Sequence, residues 1–128
     1  MKIFVTDILM IDQKNIVSFQ SNIGNGKASW NGDPPTVNIE YYVEVEIHDN
    51  LSWGDNIIKS SSRHSQIELD DSSLILTGKI ESIDDDGYTV IRLGESIICI
   101  EALGTPLSIG TYVSIHGKNV EFFNQNYI

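Results

Sequence analysis

Three carboxylates, Glu40, Glu44 and Glu46, alternate with apolar residues along Ile39-Glu40-Tyr41-Tyr42-Val43-Glu44-Val45-Glu46-Ile47. Successive side chains of a β-strand point to opposite faces, so this spacing puts Ile39, Tyr41, Val43, Val45 and Ile47 on a core face. The three glutamates and Tyr42 then share the other face. Acids beside an aromatic ring suit the gripping of Arg and Lys. They also repel one another, a cost that solubility alone does not require. A plainer role is available: charges on a strand face keep it soluble and discourage unwanted pairing. Two carboxylates at the right separation, for example Glu44 with Glu46, could also hydrolyse a glycoside, but the sequence offers no long cleft-building loop beyond 21–36.

The remaining candidate motifs are weaker. Asp84-Asp85-Asp86-Gly87 invites a calcium reading, but the positions an EF-hand loop would use around Gly87 hold Ser82 and Leu93. An acidic turn is the expectation, with Asp84, Asp85 and Asp86 as a second binding patch. Gly24-Asn25-Gly26-Lys27 lacks the hydroxyl, the full glycine spacing and the helix of a phosphate loop. Cys99 lies in the apolar run Ile97-Ile98-Cys99-Ile100, where a buried thiol acts as a small hydrophobe with no histidine close in sequence to activate it. His48, His64 and His116 show no metal-ligand spacing, so neither metal nor cofactor is expected. Trp30 and Trp53 are read as lids on the ends of a barrel, with Trp53 retained as a possible interface anchor.

Short strands and turns must position these groups. Apolar runs at 2–11 and 15–20 are joined by Asp12-Gln13-Lys14-Asn15, and Ser21 to Pro35, rich in Gly, Asn and Pro, reads as a long loop. The acidic strand occupies 37–48, and residues 49–65 show no clear element. Strands are expected at 67–69, 74–83, 88–93, 96–102, 111–115 and 119–123. Asp86-Gly87 and Gly94-Glu95 are expected as tight hairpin turns, and residues 104–110 as a crossing loop. No helix of ten or more residues shows 3.6 periodicity. The fold class is therefore all-β, a single-domain antiparallel barrel or sandwich over 1–128.

Leu76 to Ile83 carries Gly78, Tyr88 to Leu93 follows, and Leu107-Ser108-Ile109-Gly110-Thr111-Tyr112-Val113-Ser114-Ile115 spells L-x-x-G-x-x-V-x-I. Over about the last 50 residues this resembles an OB-type barrel, whose long bent first strand often carries a glycine. The resemblance implies a ligand-binding barrel for oligosaccharide, peptide or oligonucleotide.

Composition bears on the partner. Eighteen Asp plus Glu against eight Lys plus Arg give a net charge of −10. Such a field repels phosphate backbones, so direct nucleic-acid binding is not expected, and it speeds encounter with basic proteins. One cysteine excludes an intramolecular disulfide and favours a reducing compartment. Asp7 interrupts the N-terminal apolar run and no window is long enough to span a membrane, so a cytoplasmic protein is expected. In size, charge and lack of a catalytic signature the chain is similar to bacterial immunity proteins, the inhibitors of toxins such as those of contact-dependent growth inhibition. That resemblance implies a non-enzymatic inhibitor occluding the cleft of a basic toxin, a nuclease in many such pairs. Its contact residues would be Glu40, Tyr42, Glu44 and Glu46, with Asp84, Asp85, Asp86 and Trp53 as further candidates.

Overall fold

The computed structural model describes residues 1–125, and among them every regular element is a strand. The first four are β1 (Lys2–Ile11), β2 (Lys14–Ser21), β3 (Gly24–Trp30) and β4 (Glu40–Ile47). They are followed by β5 (Leu51–Ser52), β6 (Ile57–Lys59), β7 (Gln66–Asp70), β8 (Ser73–Ile83) and β9 (Thr89–Leu93). The last are β10 (Ser96–Ile100), β11 (Ala102–Leu103), β12 (Tyr112–Gly117) and β13 (Val120–Asn124). The all-β barrel expected from the sequence is what the chain forms.

Five strands close a ring. β1 pairs β2, β2 pairs β3, β3 runs parallel to β13, and β13 and β1 flank β4. Alternation supplies the interior: Ile3, Val5, Val17, Phe19, Val43 and Phe122 are all buried. Phe19 meets Phe122 edge-on with ring centroids 4.9 Å apart. Full closure removes the sheet edges that would otherwise invite aggregation.

The sequence places a barrel in the last 50 residues, whereas this ring draws on the first 47 and on β13. The C-terminal strands build a second circuit instead. β8 pairs β7 along Ser73–Thr77 and β9 from Lys79 on, while β12 takes its other edge. β10 extends the meander, and β11 beyond it runs parallel to β5. The chain continues from β5 to β6, which pairs β12. Gly78 is needed where β9 crosses close over β8, because a Cβ there would strike the Arg92 carbonyl and the Ile91 side chain. One cluster of buried apolar residues runs through both circuits.

Other expectations need correction. The loop drawn over 21–35 contains β3: Asn22-Ile23 make a two-residue turn, and the glycine-rich run pairs with β2 from Ser21↔Gly24 to Asn15↔Trp30. Small residues fit there because β3 is crowded; a Cβ on Gly26 would overlap Leu74 and Phe19. The first hairpin turns on Asp12-Gln13 alone, both with positive φ, since Ile11 pairs directly with Lys14. Asp86-Gly87 is not a two-residue turn. The connection spans 84–88, only Gly87 has positive φ, and the Asp84 carboxylate accepts from the backbone N–H groups of Asp86 and Tyr88. Within 49–65 the chain makes β5 and β6. Gly94-Glu95 is the expected two-residue turn, with Leu93 opposite Ser96.

Residues 48–119 are inserted between neighbouring strands of the first ring, so the ring closes through a neck. Ile47 pairs Val120, and His48 N–H donates to the Asn119 carbonyl at 2.8 Å. Asp49 clamps the neck, its two carboxylate oxygens each accepting at 2.9 Å from the backbone N–H groups of Lys118 and Asn119. Asp49→Ala leaves these two exposed donors to water and is expected to destabilise the fold by about 0.5–1.5 kcal/mol in urea unfolding followed by tryptophan fluorescence. Asp49→Asn, which keeps one carbonyl acceptor, should fall between.

Candidate functional site

The β4 register decides where the carboxylates point. Val43 N–H and C=O both bond to Met1 on the β1 side, and Tyr42 C=O accepts from Gln125 on the β13 side. The strand is held on both edges, with Val43 and Val45 buried and Glu40, Tyr42, Glu44 and Glu46 exposed. The expected alternation is correct from Glu40 to Ile47. Ile39 is the exception; it precedes β4 and is 47% exposed. The pairing is staggered: β1 and Met1 cover residues 40–43 on one side, and β13 covers Val43 to Ile47 on the other.

The outward carboxylates are compensated unequally. Lys2 Nζ lies 2.9 Å from Glu40, and this contact raises the lysine pKa. Glu46 faces Glu121 across the β4–β13 ladder. Two like charges directly opposite are unfavourable, and His48 lies against both, its Nε2 2.8 Å from Glu121 and 3.9 Å from Glu46. Among the described residues, Glu46, His48 and Glu121 are the one trio whose side chains converge closely enough to hold a metal ion. The sequence spacing hides this, since Glu121 arrives from the far end of the chain. Glu44 has no ion-pair partner among the described residues.

Glu44 and Glu46 line a groove of about 540 Å³ between β4 and β10, together with Tyr88, Arg92, Glu95 and Cys99. Arg92 would be the natural counter-charge, but Glu81 binds it from the neighbouring strand at 2.7 and 2.9 Å through two guanidinium nitrogens. The pair puts a fixed bidentate contact at the groove wall and takes that cation out of play. Cys99 is exposed, not buried as its apolar surroundings in sequence suggest. It points outward between buried Ile98 and Ile100, beside Tyr88, whose phenol pKa it raises.

The second acidic patch adjoins this groove. Tyr88 feels the charges of Glu101 and Asp84. Asp86, Glu101 and Asp49 line a neighbouring depression of about 580 Å³ with Leu51 and Leu103. Two segments forty residues apart in sequence thus meet around Tyr88. Glu95 and Glu101 carry as much of this surface as the residues singled out from sequence, and no periodicity marks them. Asp84 is occupied in its own turn, while Asp85 is exposed.

The tryptophans lie elsewhere. Trp30 is a core residue, 5% exposed, with its indole N–H donating to the Asp33 carbonyl and its ring edge-on to Tyr41. Trp53 is half-buried against the core, its backbone N–H donating to Leu103 where β5 meets β11. It lines neither acidic groove.

No protein-family model matches the chain, and neither the curated proteins nor the solved structures searched contain a match to it. No helix among the described residues is long and apolar enough to cross a membrane.

The Arg92 guanidinium holds the Glu81 carboxyl below its ordinary value of 4.5. A carboxyl with a depressed folded pKa contributes stability that is complete above the unfolded value and lost as pH falls through the folded one. Wild-type stability should therefore fall more steeply than that of Arg92→Gln as pH drops below about 4.5, measured by urea midpoints across the acid range.

Proposed function

We propose that this protein is a non-enzymatic inhibitor whose acidic face covers the basic substrate cleft of a protein toxin, as bacterial immunity proteins do. The observation that carries the reading is the groove between β4 and β10. It presents Glu44, Glu46 and Glu95 beside an aromatic ring, while its arginine is already bound to Glu81. A partner's Arg and Lys side chains would find carboxylates there, in competition with the Met1 ammonium near Glu44 and with His48 near Glu46. Tyr42, 53% exposed on the same strand face, and the surface around Asp86 and Glu101 extend the contact area.

The proposed mechanism is occlusion. Complementary charge speeds the encounter, and the bound domain then keeps the toxin's substrate out. A nuclease is the toxin class this chemistry favours, because its cleft is built to hold phosphates and an array of carboxylates competes for the same cations. The compartment implied is the cytoplasm, where such a toxin would act.

The test begins with purification of the complex formed when the tagged protein is expressed with its candidate toxin, followed by calorimetric titration. Glu44→Lys with Glu46→Lys should weaken binding by at least about tenfold, or ~1.4 kcal/mol, and abolish protection from growth arrest. Association should also slow as salt is raised towards physiological strength. Unchanged affinity in the double variant would remove the β4 face from the interface.

A further inference from the structure

Against the acidic background, three of the eight Lys and Arg residues gather at one place. Lys14 opens β2, Lys27 projects outward from β3, and Lys118 stands in the β12–β13 turn. They rim a groove of about 660 Å³ lying where the first ring meets the turns of the second. Among the described residues none of the three forms an ion pair. Two aspartates, Asp12 and Asp71, also line the groove, so its cations outnumber its anions in a chain whose net charge is −10.

The groove is apolar inside. Ala28, Leu74 and Val120, all buried, contribute to its lining, with Ile16 and Leu69 beside them. The apolar surface does not stop there. Ile11 belongs to the groove wall and is 48% exposed, and Leu9, 59% exposed, pairs across the ladder with Ile16 on the same outer face. Leu69 is 45% exposed. An apolar strip continuous with an apolar groove marks a binding surface, since single exposed hydrophobes need no explanation but contiguous ones do.

We infer that this lysine-rimmed groove docks an acidic protein segment bearing apolar side chains, on a surface separate from the carboxylate face. Charge complementarity selects the sign of the occupant: the unpaired lysines offer ammonium groups to Asp and Glu at the rim. The apolar lining takes Leu- or Ile-like side chains. The strip along Leu9 and Ile11 extends beyond the groove, which fits a segment lying across it better than a small molecule sunk into it. The inference does not depend on the inhibitor reading. A protein with both surfaces could hold a basic partner on one face and an acidic segment, of the same or another partner, on the other.

The test uses isotope-labelled full-length protein and two probes. One is an 18-residue synthetic peptide with Leu at helical spacing and Glu elsewhere; the other is decanoate. The expected result is that the peptide shifts amide and methyl resonances of Ile11, Ile16, Leu69 and Val120, leaving those of Glu44 and Glu46 in place. Lys14→Glu with Lys27→Glu and Lys118→Glu should then weaken peptide binding by at least about tenfold. These side chains are exposed, so the triple variant is expected to keep its fold, which unchanged amide dispersion would verify. If it unfolds, the single Lys27→Glu variant takes its place, with a smaller loss in the same direction expected. Absent shifts, shifts elsewhere, or equal binding by the variant would overturn the inference. So would a groove that takes decanoate and not the peptide, which would make it a site for a small amphipathic anion.

Discussion

The pairing of β4 with β13 is the constraint on which the rest of the structure depends. These strands are neighbours in space, yet residues 48–119 separate them in the chain. β13 also supplies Phe122, the centre of the first ring's core, and the parallel partner of β3. The first ring is therefore incomplete until the second circuit has brought the chain back to Val120. Closing so long a loop carries a large entropic cost, offset only once many contacts form together. The Asp49 clamp sits where the two ends meet, so a single carboxylate satisfies both backbone donors of the returning turn.

The same connection organises the surface. β4 is paired with β1 over its first half and with β13 over its second, and this staggered pairing sets its outward face. Glu121, carried on β13, completes the arrangement with Glu46 and His48. On the far side of Glu44, β10 of the second circuit forms the opposite wall of the groove. The acidic surface is thus made jointly by both circuits. Lysines brought together by the first hairpin, β3 and the β12–β13 turn make a surface of opposite sign. One small domain segregates its charge in this way despite an excess of acid overall.

Pairwise compensation explains why the acidic surface stays negative. Two of the chain's cations, Lys2 and Arg92, are engaged with Glu40 and Glu81. Both pairs are exposed, so their value to stability is small. Their effect on the groove is larger: the Glu81 contact holds Arg92 at the wall, away from pairing with Glu44 and Glu46.

Period-two alternation was legible in the sequence, because burial of one strand face forces it. The strand content, the absence of helix among the described residues, the core face of β4 and its outward glutamates, and the Gly94-Glu95 turn all follow from local pattern. The glycine-rich β3 did not follow. Its Gly24 and Gly26 are small because neighbouring strands pass close by, and the same residues in isolation read as loop. Nor could periodicity reveal that β13 closes a ring begun by β1, since strand pairing depends on contacts distant in sequence. The exposure of Cys99, the capture of Arg92 by Glu81 and the meeting of Tyr88 with Glu44 across the groove belong to the same class. Each is decided by which strands lie side by side, and only the tertiary structure decides that.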